Sequence, residues 1–181
     1  HYDGGTAAAE AVLMAYYHFR QKRSKILVSR YVNPQYTEII QTYTSDLPKL
    51  ELTTLDIEDI STAIDNDTAL VIVQYPDFLG HIVDYTKLVD ETHEQGALVC
   101  VVANPTTLAL LTPPGDWGAD IVVGEGQPLG IPMSYGGPGL GFFATNKKLI
   151  RKIAGRIAGE TVDAAGNRGY VLTLTAREQH I

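Results

Sequence analysis

Cysteine is almost missing from this chain. Cys100 stands alone, so no internal disulfide can brace the fold. It lies in the apolar run 97–103, where a buried structural thiol is the expected role. Disulfide scaffolds belong to oxidising compartments, and the chain reads instead as cytoplasmic. Long apolar runs are missing too. None approaches the roughly 18 residues of a membrane span. The opening His1-Tyr2-Asp3-Gly4-Gly5 has neither the charged n-region nor the apolar h-region of a signal peptide. Positive charge is in deficit, with 14 basic against 21 acidic residues and a net charge of −7. A nucleic-acid surface needs clustered Lys and Arg, so that class is excluded. No Gly-Lys-Ser/Thr appears, hence no P-loop. No Gly-x-Ser-x-Gly appears, hence no hydrolase elbow. His1, His18, His81, His93 and His180 are scattered without a Cys or second His at ligand spacing, and no metal site is expected. Lysine is absent between Lys87 and Lys147.

What is present is a domain-sized chain with alternating strand and helix signals. Residues 6–20 are Ala-rich with helical spacing. Residues 25–29 form a short apolar strand. Pro34 opens a helix to about Tyr43, residues 50–53 suggest a strand, and Asp56 caps a short helix to Ile64. Residues 69–74 are an unbroken β-branched run, the mark of a parallel strand buried on both faces. A helix over 84–95 stops at Gly96. Strands follow at 97–102, 119–123 and 140–145, and then a basic helix over 147–153. The basic cluster Arg20, Lys22, Arg23 and Lys25 abuts a helix end and fits its dipole. The stretch 155–169 is polar and leaves the sheet. The pattern predicts one α/β domain with a mostly parallel sheet and helices on both faces.

The loop between the strands at 119–123 and 140–145 is the best lead to function. Glycines stand at Gly124, Gly126, Gly130, Gly136, Gly137, Gly139 and Gly141. Such density lets backbone approach other groups closely. Glu125 and Gln127 sit just past the carboxyl end of a strand, where open α/β sheets bind ligands. At the other end of the chain, Gly4, Gly5 and Thr6 open the Ala-rich helix. Free N–H groups there can hold a phosphate, or Asp3 or Thr6 serves as a plain cap. The run from Gly137 to Gly141 superficially matches a dinucleotide fingerprint but opens a strand rather than a helix, and Pro138 removes a donor. His81 follows a central strand, in either a site loop or a simple turn. Arg156, Glu160, Arg177, Glu178, Gln179 and His180 gather near the C-terminus beside an apolar run, 169–175, and suggest an interface.

These residues carry a family resemblance. Tyr2-Asp3-Gly4-Gly5-Thr6-Ala7, Val73-Gln74-Tyr75-Pro76, the run from Pro114 to Gly130, Gly136-Gly137-Pro138, the run from Gly155 to Asp163 and the closing run from Thr175 to Ile181 are all similar to the glycine cleavage P-protein family. In its two-subunit form the match is to the α subunit. The resemblance implies an aspartate aminotransferase-like, pyridoxal-phosphate (PLP) fold. It implies that the chain is the central large domain of a longer protein, without an N-terminal segment and a C-terminal small domain. It implies glycine as substrate, a P-protein β subunit as partner, and a lipoyl H-protein that receives the aminomethyl group.

The chain departs from that pattern where the chemistry is decided. PLP enzymes need a lysine joined to the cofactor. Counting back from Gly136-Gly137-Pro138-Gly139 puts its counterpart at Gln127. Counting forward from Gly118-Ala119-Asp120 puts it at Pro128. The aspartate partner of the pyridinium nitrogen is also missing, since Val101, Val102 and Ala103 are apolar. No catalytic residue is expected within this chain, and PLP is expected on the partner subunit. Gly4, Gly5 and Thr6 become a vestigial phosphate loop. Glu125, Gln127, Arg156, Glu160, Arg177 and His180 become candidates for a shared site or interface. Two alternative functions stand beside this one. A self-sufficient PLP aminotransferase or lyase would show the absorbance of a lysine-bound cofactor. A non-catalytic scaffold would stay inactive even with the β subunit.

Overall fold

The computed structural model describes residues 1–155 and 157–173. The chain begins with helix α1 (Gly4–His18) and strand β1 (Lys25–Ser29), then α2 (Pro34–Thr44), β2 (Glu51–Leu55), α3 (Ile57–Ala63) and β3 (Thr68–Tyr75). Helix α4 (Thr86–Glu94), β4 (Leu98–Ala103), β5 (Ile121–Glu125) and β6 (Gly141–Thr145) complete the main sheet. A hairpin of β7 (Ile157–Val162) and β8 (Arg168–Thr173) follows. The sheet order is β2-β1-β3-β4-β5-β6, parallel except for the antiparallel pairing of β5 with β6. Strand order reverses between β1 and β3, which creates the crevice at the carboxyl edge where such sheets take ligands.

The sheet is covered on both faces, as its sequence runs predict. Ile26, Val28, Leu70, Ile72, Cys100, Val102, Ile121 and Val123 face α1 and its neighbour α2. The alternate residues Leu27, Val71, Val73, Val99 and Val101 meet Ile60 of α3 and Leu88 and Val89 of α4. Each fully buried Ile or Leu contributes about 1.5–3 kcal/mol of transfer free energy. Ala7, Ala8, Ala9, Ala11 and Ala15 are all fully buried. Alanine combines high helix propensity with small size. Burial pushes the Cys100 thiol pKa well up, as suits a structural cysteine.

Three local expectations need correction. The basic helix over 147–153 is only a single 3₁₀ turn, Ile150–Lys152, anchored by buried Leu149. Of the residues 147–153 only Leu149 is buried and only Ile153 half-buried, so the segment lacks the packed apolar face from which short helices draw their stability. In the cluster Arg20–Lys25, two of the four basic residues are engaged away from the end of α1. Arg23 donates to the carbonyls of Thr68 and Gln95 and lies over the Phe19 ring, while Lys25 pairs with Asp65. Asp56 precedes α3 but makes no side-chain cap; its carboxylate meets Arg30 at 2.7 Å. The polar stretch after residue 155 does leave the sheet, as β7 and β8.

Candidate functional site

The site begins at the first turn of α1. Asp3 is its N-cap, accepting the Thr6 N–H at 2.7 Å, while the Thr6 hydroxyl accepts the Asp3 N–H at 3.1 Å. Of the two readings of this segment, the reciprocal cap is therefore present. The Gly4 N–H points elsewhere, to Oε2 of Glu125 at 3.1 Å. Glu125 ends β5, and its other oxygen accepts the N–H groups of Gln127 at 2.8 Å and Leu140 at 2.7 Å. One carboxylate thus ties together the first turn of α1, the turn after β5 and the glycine-rich loop.

That tie explains the glycines. A Cβ on Gly141 would overlap the Asp3 carbonyl, and one on Gly124 would overlap the Ala103 carbonyl and stand 2.8 Å from the Phe142 ring. Gly139 and Gly141 let the loop pack backbone to backbone over the segment that opens α1, while Gly130 and Gly136 turn it at positive φ. Gln127 sits in a 3₁₀ turn, Gln127–Leu129, and its amide donates to the Ile131 carbonyl. Pro128 is exposed beside it.

Two crevices flank Glu125 at the carboxyl edge. The larger, of about 680 Å³, lies between Tyr2, Asp3 and the glycine loop with Met133. The smaller, of about 170 Å³, is lined by Asn33, Tyr36, Gln74, Val102, Ala103 and Asn104 with Glu125 and Pro128. Sequence reading missed Asn33, Tyr36, Gln74 and Asn104. Three of them end or follow parallel strands, and that position is the signal that finds them. Gln74 accepts the Asn33 N–H at 2.8 Å and so joins the ends of β3 and β1. Tyr36 closes over Gly4. Burial, then the charges of Glu125 and Asp3, push its phenol up to about 12, so it stays neutral.

His81 lies in a braced turn. Asp77 is 6% exposed and accepts from the backbone of Leu79 and His81 and from the His81 ring, each at 2.9 Å. Burial opposes the Asp77 charge, but the His81 and Leu79 hydrogen bonds outweigh it, and its pKa falls below the usual carboxylate value. A depressed folded-state pKa contributes stability above the unfolded value that is lost as pH falls through the folded one. Protection of the Leu79 and His81 amides from hydrogen exchange should therefore be strong above the usual carboxylate range and be lost as pH falls through the lowered Asp77 value. Protection that does not change with pH would contradict this.

Glu160 is not brought to this edge. It lies on β7 and pairs with Arg168 of β8 at 2.9 Å, with both side chains exposed. Arg156, Arg177 and His180 lie outside the described residues. Among the described residues no three His, Cys, Asp or Glu side chains group as a metal site, and no helix is long and apolar enough to cross a membrane.

The sequence profile described as Glycine cleavage system P-protein matches residues 1–181. The chain belongs to the glycine cleavage system P-protein family. It is 50% identical to proteins named "Probable glycine dehydrogenase (decarboxylating) subunit 1" from Listeria monocytogenes serotype 4a and Desulforamulus reducens. Each alignment covers 99% of this chain but 41% of the relative, so the chain spans about two-fifths of their length. A crystal structure of glycine decarboxylase (P-protein) of the glycine cleavage system, in inhibitor-bound form, superposes with a TM-score of 0.85 at 43% identity. It covers 96% of this chain and 40% of that one. A cystathione gamma lyase from Micromonospora echinospora, at 21% identity and TM-score 0.63 over 84% of this chain and 39% of that one, shares the fold alone. These neighbours place the P-protein chain in the aspartate aminotransferase-like, PLP-dependent fold class.

The carboxyl edge does not fit that cofactor. Among the described residues neither crevice is lined by lysine or arginine, while Asp3 and Glu125 both face the larger one. Val102 and Ala103 line the smaller crevice where a pyridinium partner would be acidic.

Proposed function

We propose that this chain is the central large domain of a cofactor-free subunit of the glycine-decarboxylating P-protein. The enzyme releases CO2 from glycine and passes the aminomethyl group to the lipoyl arm of H-protein in the cytoplasm. PLP and its lysine belong to the β partner. The observation that carries the reading is the whole-length family match combined with Gln127 and Pro128 where the cofactor lysine would stand.

In this reading the chain supplies a rim to the partner's site. Leu129, Met133 and Tyr135 stand 67%, 81% and 112% exposed on the glycine-rich loop, beside the larger crevice. Exposed apolar side chains so close together suit an interface. Glu125 and Gln127 fix the base of that loop. Arg156 and Arg177 offer guanidinium forks for a carboxylate or phosphate, and Glu160 and His180 join them as interface candidates. The test is co-purification of the full-length subunit with a lysine-bearing partner, followed by a glycine decarboxylation assay of each chain alone and of the pair.

A further inference from the structure

We propose that the Glu125 carboxylate is a built-in anion that takes the place of a cofactor phosphate at the start of α1 and closes this chain to phosphorylated ligands. The proposal rests on the cofactor-free reading and deepens it. That reading depends on a missing lysine, whereas the anion is a group that is present.

The first turn of a helix leaves N–H groups without intrahelical partners and carries partial positive charge. Here Gly4 gives its N–H to Glu125 and Thr6 gives its own to Asp3. Glu125 also gathers the N–H groups of Gln127 and Leu140. The donors come from three separate segments and converge on one carboxylate. Convergent backbone N–H groups of this kind are how proteins commonly hold phosphate. Asp3 takes the Thr6 N–H, and Glu125 adds a second carboxylate at the same turn, on the Gly4 N–H and two loop N–H groups, where a bound anion would sit.

The surroundings reinforce the exclusion. Among the described residues neither crevice is lined by lysine or arginine, His1 stands at the larger one, and Asp3 and Glu125 would repel a second anion. The Tyr36 phenol presses against Gly4, where a Cβ would overlap its hydroxyl. An incoming phosphate would have to displace both Glu125 and Tyr36.

The experiment uses the full-length subunit and two variants, Glu125→Ala and the isosteric Glu125→Gln. Inorganic phosphate is titrated by calorimetry and by thermal unfolding, against chloride at equal ionic strength. The native protein should show no saturable phosphate binding. Glu125→Ala should gain it, with affinity rising about tenfold or more, roughly the worth of one charge-assisted hydrogen bond. Its midpoint should rise in phosphate and not in chloride. Glu125→Gln should show a smaller gain in the same direction, and decides the matter should Glu125→Ala fail to fold. Asp3→Asn, which lowers the local negative charge but leaves Glu125 on the Gly4 N–H, should gain less than either Glu125 variant. Saturable binding by the native protein, or no phosphate response in the folded Glu125 variants, overturns the proposal. Neither result depends on decarboxylation activity, so failure here is distinct from failure of the subunit assignment.

Discussion

Replacing Gly124 with alanine is expected to lower the unfolding free energy by about 3 kcal/mol, at the upper end for overpacking a dense interior. Propensity alone argues the other way. Glycine inside a strand is roughly 0.5–1 kcal/mol worse than alanine because the unfolded chain has more freedom to lose. Sterics decide the sign. The new Cβ would overlap the Ala103 carbonyl on neighbouring β4 and crowd the Phe142 ring across β6 at 2.8 Å. A carbonyl held in a sheet cannot step aside as a side-chain end can. The strain would fall beside Glu125 and so reach the loop as well as the sheet. Gly115 is the control. A methyl group added there would meet nothing within 4 Å, and Gly115→Ala should stay within about 0.5 kcal/mol of the parent. Urea unfolding with an unchanged slope reads both. Equal midpoints for the two variants would contradict the packing account.

Decarboxylation should be all or nothing with respect to the partner. The full-length subunit alone should release no CO2 from glycine, because no lysine stands at the carboxyl edge of its sheet. Activity should appear on adding a lysine-bearing β subunit with lipoyl H-protein. The rim role sets a second expectation. Arg156→Ala and Arg177→Ala should each lower the activity of the pair or weaken its assembly by about tenfold, the worth of a charge-assisted hydrogen bond. Native activity and association in both variants would remove those residues from the rim. Activity of the subunit alone would remove the division of labour altogether.

The sheet was legible because its signals are local. Val71, Ile72 and Val73 are buried on both faces, and an unbroken β-branched run says so without any knowledge of topology. Gly96, with φ of +66°, closes α4 in the left-handed conformation that favours glycine. The segment 147–153 misled because its basic, apolar pattern suits a helix, while only Leu149 packs into the core. The site was half legible. Glu125 and Gln127 could be named from a strand end and a glycine-rich loop. The partner of Glu125 could not. Gly4 lies 121 residues away in sequence, and no spacing rule joins a helix start to a loop across a sheet. The same distance hid the reason for Gly141, which is its approach to Asp3. Tyr36 lies within the helix that Pro34 opens and carries no signal of its own. It became part of the site only when α2 packed against α1.

The most direct test of the central claim is borohydride reduction of the two-subunit complex in the presence of PLP, followed by peptide mapping of both chains. The account predicts a pyridoxyl-lysine on the β partner and none at any defined position of this chain. A pyridoxyl-lysine at a single defined position here would contradict it.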